Sequence, residues 1–201
     1  MFSRAGRAVV AQPISADEQV RLRGFAMLVA LGDQYAANAA WRRALDAAAR
    51  RGARQPLTRP AGWLRRRVLR QLDGGLIERV QQHLPNATRE LDEERRATLR
   101  ALGATDVVIH GLRTLSAPER AAVVAHAIER LDQSDVGELL GVREAATPRV
   151  VARAIRHYVK GADAMLSEEP WARRQAEGDL ARRVAAAADG DAAACAGQEA
   201  S

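Results

Sequence analysis

Two short stretches decide the fold: Ser134-Asp-Val-Gly-Glu-Leu-Leu-Gly141-Val142 and, after a brief gap, Arg149-Val-Val-Ala-Arg-Ala-Ile155. Val136, Leu139 and Leu140 recur at helical spacing and give the first stretch a buried side. Gly137 places a residue without a side chain where a second helix can cross closely, and Gly141 supplies the turn. In the second stretch Val151, Ile155 and Tyr158 or Val159 face inward, which turns Arg149, Arg153, Arg156 and Lys160 outward. Thr147-Pro148 sets the start of that helix. Proline is tolerated in the first turn but costs about 3 kcal/mol in a helix interior. The expected solution has Thr147 as N-cap and Pro148 as the first helical residue. Two helices joined by a glycine turn, the second with a basic outer face, match the requirements of a helix-turn-helix that docks on DNA. An Ala-rich helical hairpin with a solvated charged face satisfies the same periodicity.

Helix extends outward from this point. The chain has 201 residues, of which 47% are hydrophobic but only 3% aromatic, so the core is built from Ala, Val and Leu. Ser15-Ala-Asp-Glu18 reads as a capping box, followed by Val20, Leu22, Phe25, Leu28, Val29 and Leu31 at helical spacing. Gly32-Asp33 turns the chain into a second helix over about 35–51, carrying Trp41 and Leu45. A loop through Gln55–Pro60 leads to a third helix, about 61–72, with Trp63-Leu-Arg-Arg-Arg-Val-Leu-Arg70. Trp63 and Trp41 read as core anchors, and Arg65, Arg66 and Arg70 as phosphate contacts. Further helices are expected at about 106–115, 117–130, 134–140 and 147–161. Pro85-Asn86 and the charged run Glu90–Arg96 read as a solvated connector. The expected fold class is therefore all-α, with two small helical domains, 15–72 and 106–161, joined by a flexible linker over 73–105. A partly disordered tail is expected over 162–201.

Charge follows the same division. Net charge is +6, distributed as +10 over 1–72, −2 over 73–110, +2 over 111–161 and −4 over 162–201. Basic segments alternating with acidic ones point to nucleic-acid-facing modules separated by a linker and closed by a tail. No stretch approaches the roughly 20 apolar residues that span a bilayer, and no apolar run follows the early arginines. The single cysteine, Cys195, excludes an internal disulfide, so a soluble cytoplasmic protein without membrane partners is expected. His83, His110, His126 and His157 lie in separate segments without carboxylate or cysteine at ligand spacing, so no metal or other cofactor is expected. A phosphate loop, a nucleophile elbow and an acid/base pair are all missing from the pattern, and no enzyme activity is expected.

A longer string carries a family resemblance. Leu112-Arg-Thr-Leu115-Ser-Ala-Pro118-Glu119-Arg120, then Glu129-Arg-Leu131-Asp-Gln-Ser-Asp135-Val136-Gly-Glu138-Leu-Leu140-Gly141, resembles region four of the extracytoplasmic-function sigma factors of bacterial RNA polymerase. Val151, Arg153 and Ala154 fall where that family's recognition helix places Val, Arg and Ala. Pro60-Ala-Gly-Trp63-Leu64 resembles the segment that ends the family's region two. The resemblance covers most of residues 20–160. It implies a DNA-binding transcription initiation factor whose partners are promoter DNA, the RNA polymerase core and an anti-sigma factor. Arg143, Thr147, Arg149, Arg153, Arg156 and Lys160 would then lie at the −35 element, and Arg65, Arg66 and Arg70 at melted DNA. Three positions depart from the family. Asn38-Ala-Ala-Trp41-Arg42-Arg43 replaces an acidic polymerase-binding segment, Thr147-Pro148 interrupts the start of the recognition helix, and Arg143-Glu144 occupies a turn that favours a serine cap. The alternatives are a helix-turn-helix regulator, or a sigma-like interaction protein, that has lost polymerase binding.

Overall fold

The computed structural model describes residues 14–52, 57, 59–73 and 91–168. The expected N-terminal arm, most of the expected linker (74–90) and the tail beyond 168, with His83 and Cys195, lie outside the described residues. Everything described is helix, turn or loop, so the protein is all-α. Its helices are α1 (Ala16–Val29), α2 (Gln34–Gly52), α3 (Pro60–Leu72), α4 (Glu93–Ala101), α5 (Asp106–Arg113), α6 (Ala117–Val123), α7 (Gln133–Leu140) and α8 (Thr147–Glu168). A π-turn over Val124–Ile128 continues α6, and a 3-10 turn over Glu144–Ala146 leads into α8.

Local chemistry sets the helix starts. Ser15, Asp92, Thr105 and Asp132 each accept a hydrogen bond from a backbone N–H three residues on, which satisfies a donor the first turn cannot. Ser15 caps as expected, but Glu18 does not complete a capping box; its carboxylate turns to Arg65. At the other end of α7, Gly141 takes φ +70°, a left-handed conformation that glycine adopts without penalty.

The two segments expected to pack separately share one core. Leu22, Phe25, Leu64 and Val68 from the first join Leu112, Val123, Val136 and Ile155 from the second in a single cluster. α3 brings them together, because it packs on α2 with one side and on α7 with another. The Gly62 N–H donates to Asp135 across that contact at 3.1 Å, and a Cβ on Gly62 would collide with the Asp135 carbonyl. Arg120 of α6 reaches the Val29 carbonyl at the end of α1.

Part of the expected linker is also structured. Asp92 caps α4, Glu93 and Glu94 sit in its first turn, and Arg100 sits in its last, the charge order a helix dipole favours. Leu99 is wholly buried, Arg95 pairs with Asp33 at 2.9 Å, and Gln34 donates to Thr98. α4 is thereby fastened to the turn between α1 and α2. Among the described residues no helix is long and apolar enough to cross a membrane.

Candidate nucleic-acid interface

α7, the turn after it and α8 form the unit that the sequence singles out. Val136, Gly137 and Leu139 are buried and Leu140 is half-buried. A Cβ on Gly137 would stand 2.8 Å from the Thr147 hydroxyl, so only glycine lets the two helices approach this closely. Val151, Ala154, Ile155 and Tyr158 seat α8 against α5 and α6. Burial pushes the Tyr158 phenol above its ordinary value, so the ring is an anchor and carries no charge.

On the opposite side of α8, Arg149, Arg153, Arg156 and Lys160 are all exposed. Steps of four, three and four residues keep them on one stripe, about 16 Å long at the helical rise. No carboxylate among the described residues forms an ion pair with any of the four. Arg143 is exposed beside the start of this stripe, and so is Glu144. His157, also exposed, is engaged sideways by Glu119 at 2.8 Å. The arrangement offers an open row of cations suited to a polyanion. The first turn of α7 offers the reverse, since Asp132 and Asp135 fill it and α3 covers it.

Thr147 does not have the role expected of it. It is 1% exposed, lies in helical conformation (φ −56°, ψ −46°) and donates its hydroxyl to the Arg143 carbonyl at 3.2 Å. It accepts no backbone N–H as a cap would, and it cannot reach a ligand. The 3-10 turn supplies the entry to α8 instead, with the Thr147 N–H bonded to Glu144. Pro148 falls within the first α-helical turn, where no intrahelical N–H bond is required. Pro148→Ala is therefore expected to leave stability within about 0.5 kcal/mol, as surface changes do. Thr147→Val, which keeps the shape and deletes the hydroxyl, should cost about 1 kcal/mol through the lost hydrogen bond to the Arg143 carbonyl, which keeps its bond from the Ala146 N–H. Urea melts of the two variants check both values.

The arginines of α3 divide. Arg65 is fully buried, its guanidinium bidentate on Glu129 at 2.5 and 2.7 Å and bonded also to Glu18 and the Ala61 carbonyl. It also lies over the Phe25 ring. Burial alone lowers its proton affinity, but the two carboxylates more than restore it, so the cation is held inside the protein. Arg65 is thus a structural ion and not a phosphate contact. Arg66 is half-buried and pairs with Glu138 of α7 at 3.2 Å. Arg70 is exposed.

The sequence reading missed Glu129 and Glu18 as the partners of Arg65, at separations of 64 and 47 residues. It also missed Arg51, whose guanidinium lies 5.5 Å from the centre of the Trp63 ring, with Arg67 at 4.9 Å from the same ring. Among the described residues no cluster of His, Cys, Asp and Glu is arranged to hold a metal ion. Comparison of the whole chain with family models, with curated proteins and with solved structures finds no match.

Proposed function

We propose that this protein is a DNA-binding transcription factor that lays α8 on duplex DNA, and that its specific form is a promoter-directing initiation factor of the sigma type. The observation that carries the reading is the open stripe of Arg149, Arg153, Arg156 and Lys160 on the helix that follows α7, its Gly141 cap and the 3-10 turn. Guanidinium groups serve both tasks a duplex sets, holding phosphates and reading guanine edges in the major groove. The sigma assignment rests on the motif order from Pro60 to Ala154, and the action would be binding alone.

A second reading, a DNA-binding regulator that does not engage polymerase, is favoured by two specific features. Arg65, on the segment resembling region two, is consumed by an internal ion network. Arg42 and Arg43 are exposed where the family carries acidic polymerase contacts. Like charge in place of unlike charge at a contact costs affinity and lowers the association rate.

Size-exclusion chromatography with bacterial core polymerase separates the two. Co-elution that survives physiological salt supports the initiation factor. Separate elution, with duplex binding retained, supports the regulator. Absence of salt-dependent duplex binding removes both.

A further inference from the structure

A pocket of about 180 Å³ opens where α3 meets α7, lined by Arg51, Trp63, Arg66, Arg67, Arg70 and Glu138. We propose that it binds a small phosphorylated ligand through its phosphate or diphosphate group. Four guanidinium groups converge on a space with one carboxylate, and that carboxylate already belongs to Arg66. Among the described residues no ion pair neutralises Arg51, Arg67 or Arg70. Arg51 and Arg67 lie over the Trp63 ring, which puts an apolar, low-dielectric wall of the pocket beside two of its cations. Like charges gathered beside an apolar wall repel one another unless an anion joins them. Guanidinium forks match the paired oxygens of a phosphoryl group, which makes it the anion of choice.

Size narrows the class. About 180 Å³ that opens to solvent takes one or two phosphoryl groups among the four guanidinium groups. The rest of the ligand must project into solvent. The site is independent of the α8 stripe, because it is built by α2, α3 and α7 and uses none of the four outward cations of α8. Its occupant would compete with Glu138 for Arg66, whose guanidinium lies against Gly141 in the turn before α8. Ligand binding would therefore act directly on the contact that fastens α3 to α7.

The test is isothermal titration of the full chain with inorganic pyrophosphate at constant ionic strength. Saturable one-site binding is expected. The double variant Arg51→Gln/Arg67→Gln should weaken it by about tenfold or more, whereas Arg149→Gln/Arg153→Gln on α8 should change it less than about twofold. Glu138→Gln should tighten binding several-fold by releasing Arg66, a gain that misfolding cannot mimic. Parallel titrations with ADP and with a short single-stranded oligonucleotide identify the source of the phosphate. ADP binding that matches pyrophosphate marks a free nucleotide, and displacement of pyrophosphate by the oligonucleotide marks a nucleic-acid backbone. No saturable binding of pyrophosphate would overturn the proposal. So would equal weakening by the α8 variant, or weaker binding by Glu138→Gln.

Discussion

Arg65→Ala is expected to destabilise the protein by about 3–5 kcal/mol at neutral pH, the usual penalty for stranding a buried charge after its partner is removed. Arg65 has no exposed surface, and the Glu129 side chain is 9% exposed. Deleting the guanidinium takes away the only cation that hydrogen-bonds to that carboxylate among the described residues and leaves it the weaker attraction of Arg21. Glu18, at 24%, keeps some contact with water and suffers less. The size of the effect depends on pH in a defined direction. Burial pushes the Glu129 carboxyl above the ordinary carboxylate range, although Arg65 opposes the shift. Above its ordinary value, then, the folded state holds this proton more readily than the unfolded chain does. Its contribution to stability falls as pH rises through that window. Removing Arg65 deletes the opposing interaction and extends the window upward. The loss caused by Arg65→Ala should thus be greatest above it and shrink as acid neutralises Glu129. The double variant Arg65→Met/Glu129→Met should recover much of the loss, because apolar side chains of similar size avoid the desolvation cost. Urea unfolding at neutral and mildly acidic pH measures all three values. A loss within about 0.5 kcal/mol, the range of ordinary surface changes, would show Arg65 to be solvated and return it to the pool of phosphate contacts.

How legible this was in the sequence differs from one helix to the next. The α7–α8 unit was readable because its constraints are local. Gly137, Gly141 and the apolar spacing of Val136, Leu139, Val151 and Ile155 lie within 20 residues, and the structure uses each as its residue type suggests. Thr147 misled because its type suits a cap, whereas its place is set by the bare backbone of Gly137 across the turn. Arg65 misled for a different reason. Helix α3 buries Gly62, Trp63, Leu64, Val68 and Leu69, an arc too wide for a helix with one covered face. That arc signals a helix between two neighbours, and Arg65 sits inside it, three residues after Gly62 and four before Leu69. The signal was present, but the carboxylates that make the burial tolerable come from remote segments and have no local trace. α4 was hidden because Leu99 is its only fully buried anchor in nine residues, so charge swamped the periodicity. The packing of the two halves into one core followed from these same long-range contacts.

Replacing Arg149, Arg153, Arg156 and Lys160 together with Gln is expected to abolish duplex binding at physiological salt while leaving the protein folded. All four side chains are exposed and none is in an ion pair with a described residue, so stability should move by no more than about 0.5 kcal/mol per site. Binding depends on them differently. Each phosphate contact releases condensed counterions and contributes about 0.9 to the slope of log K against log salt, so four such contacts contribute about 3.6. A smaller drop in slope, joined to lost preference among sequences, would assign some of the four to base edges, where a good bidentate pair contributes about 1–3 kcal/mol of discrimination. Fluorescence anisotropy on a labelled duplex across a salt series reads both quantities. An unchanged isotherm would take DNA out of the account of this face. Arg66→Gln supplies the geometric control. Arg66 lies at the α3–α7 contact, on different elements from the stripe, and pairs with Glu138. If the closed packing of α3 on α7 is the form that binds, this variant should leave the salt slope unchanged. A slope reduced by about 0.9 would instead require α3 to leave α7 and meet the duplex itself.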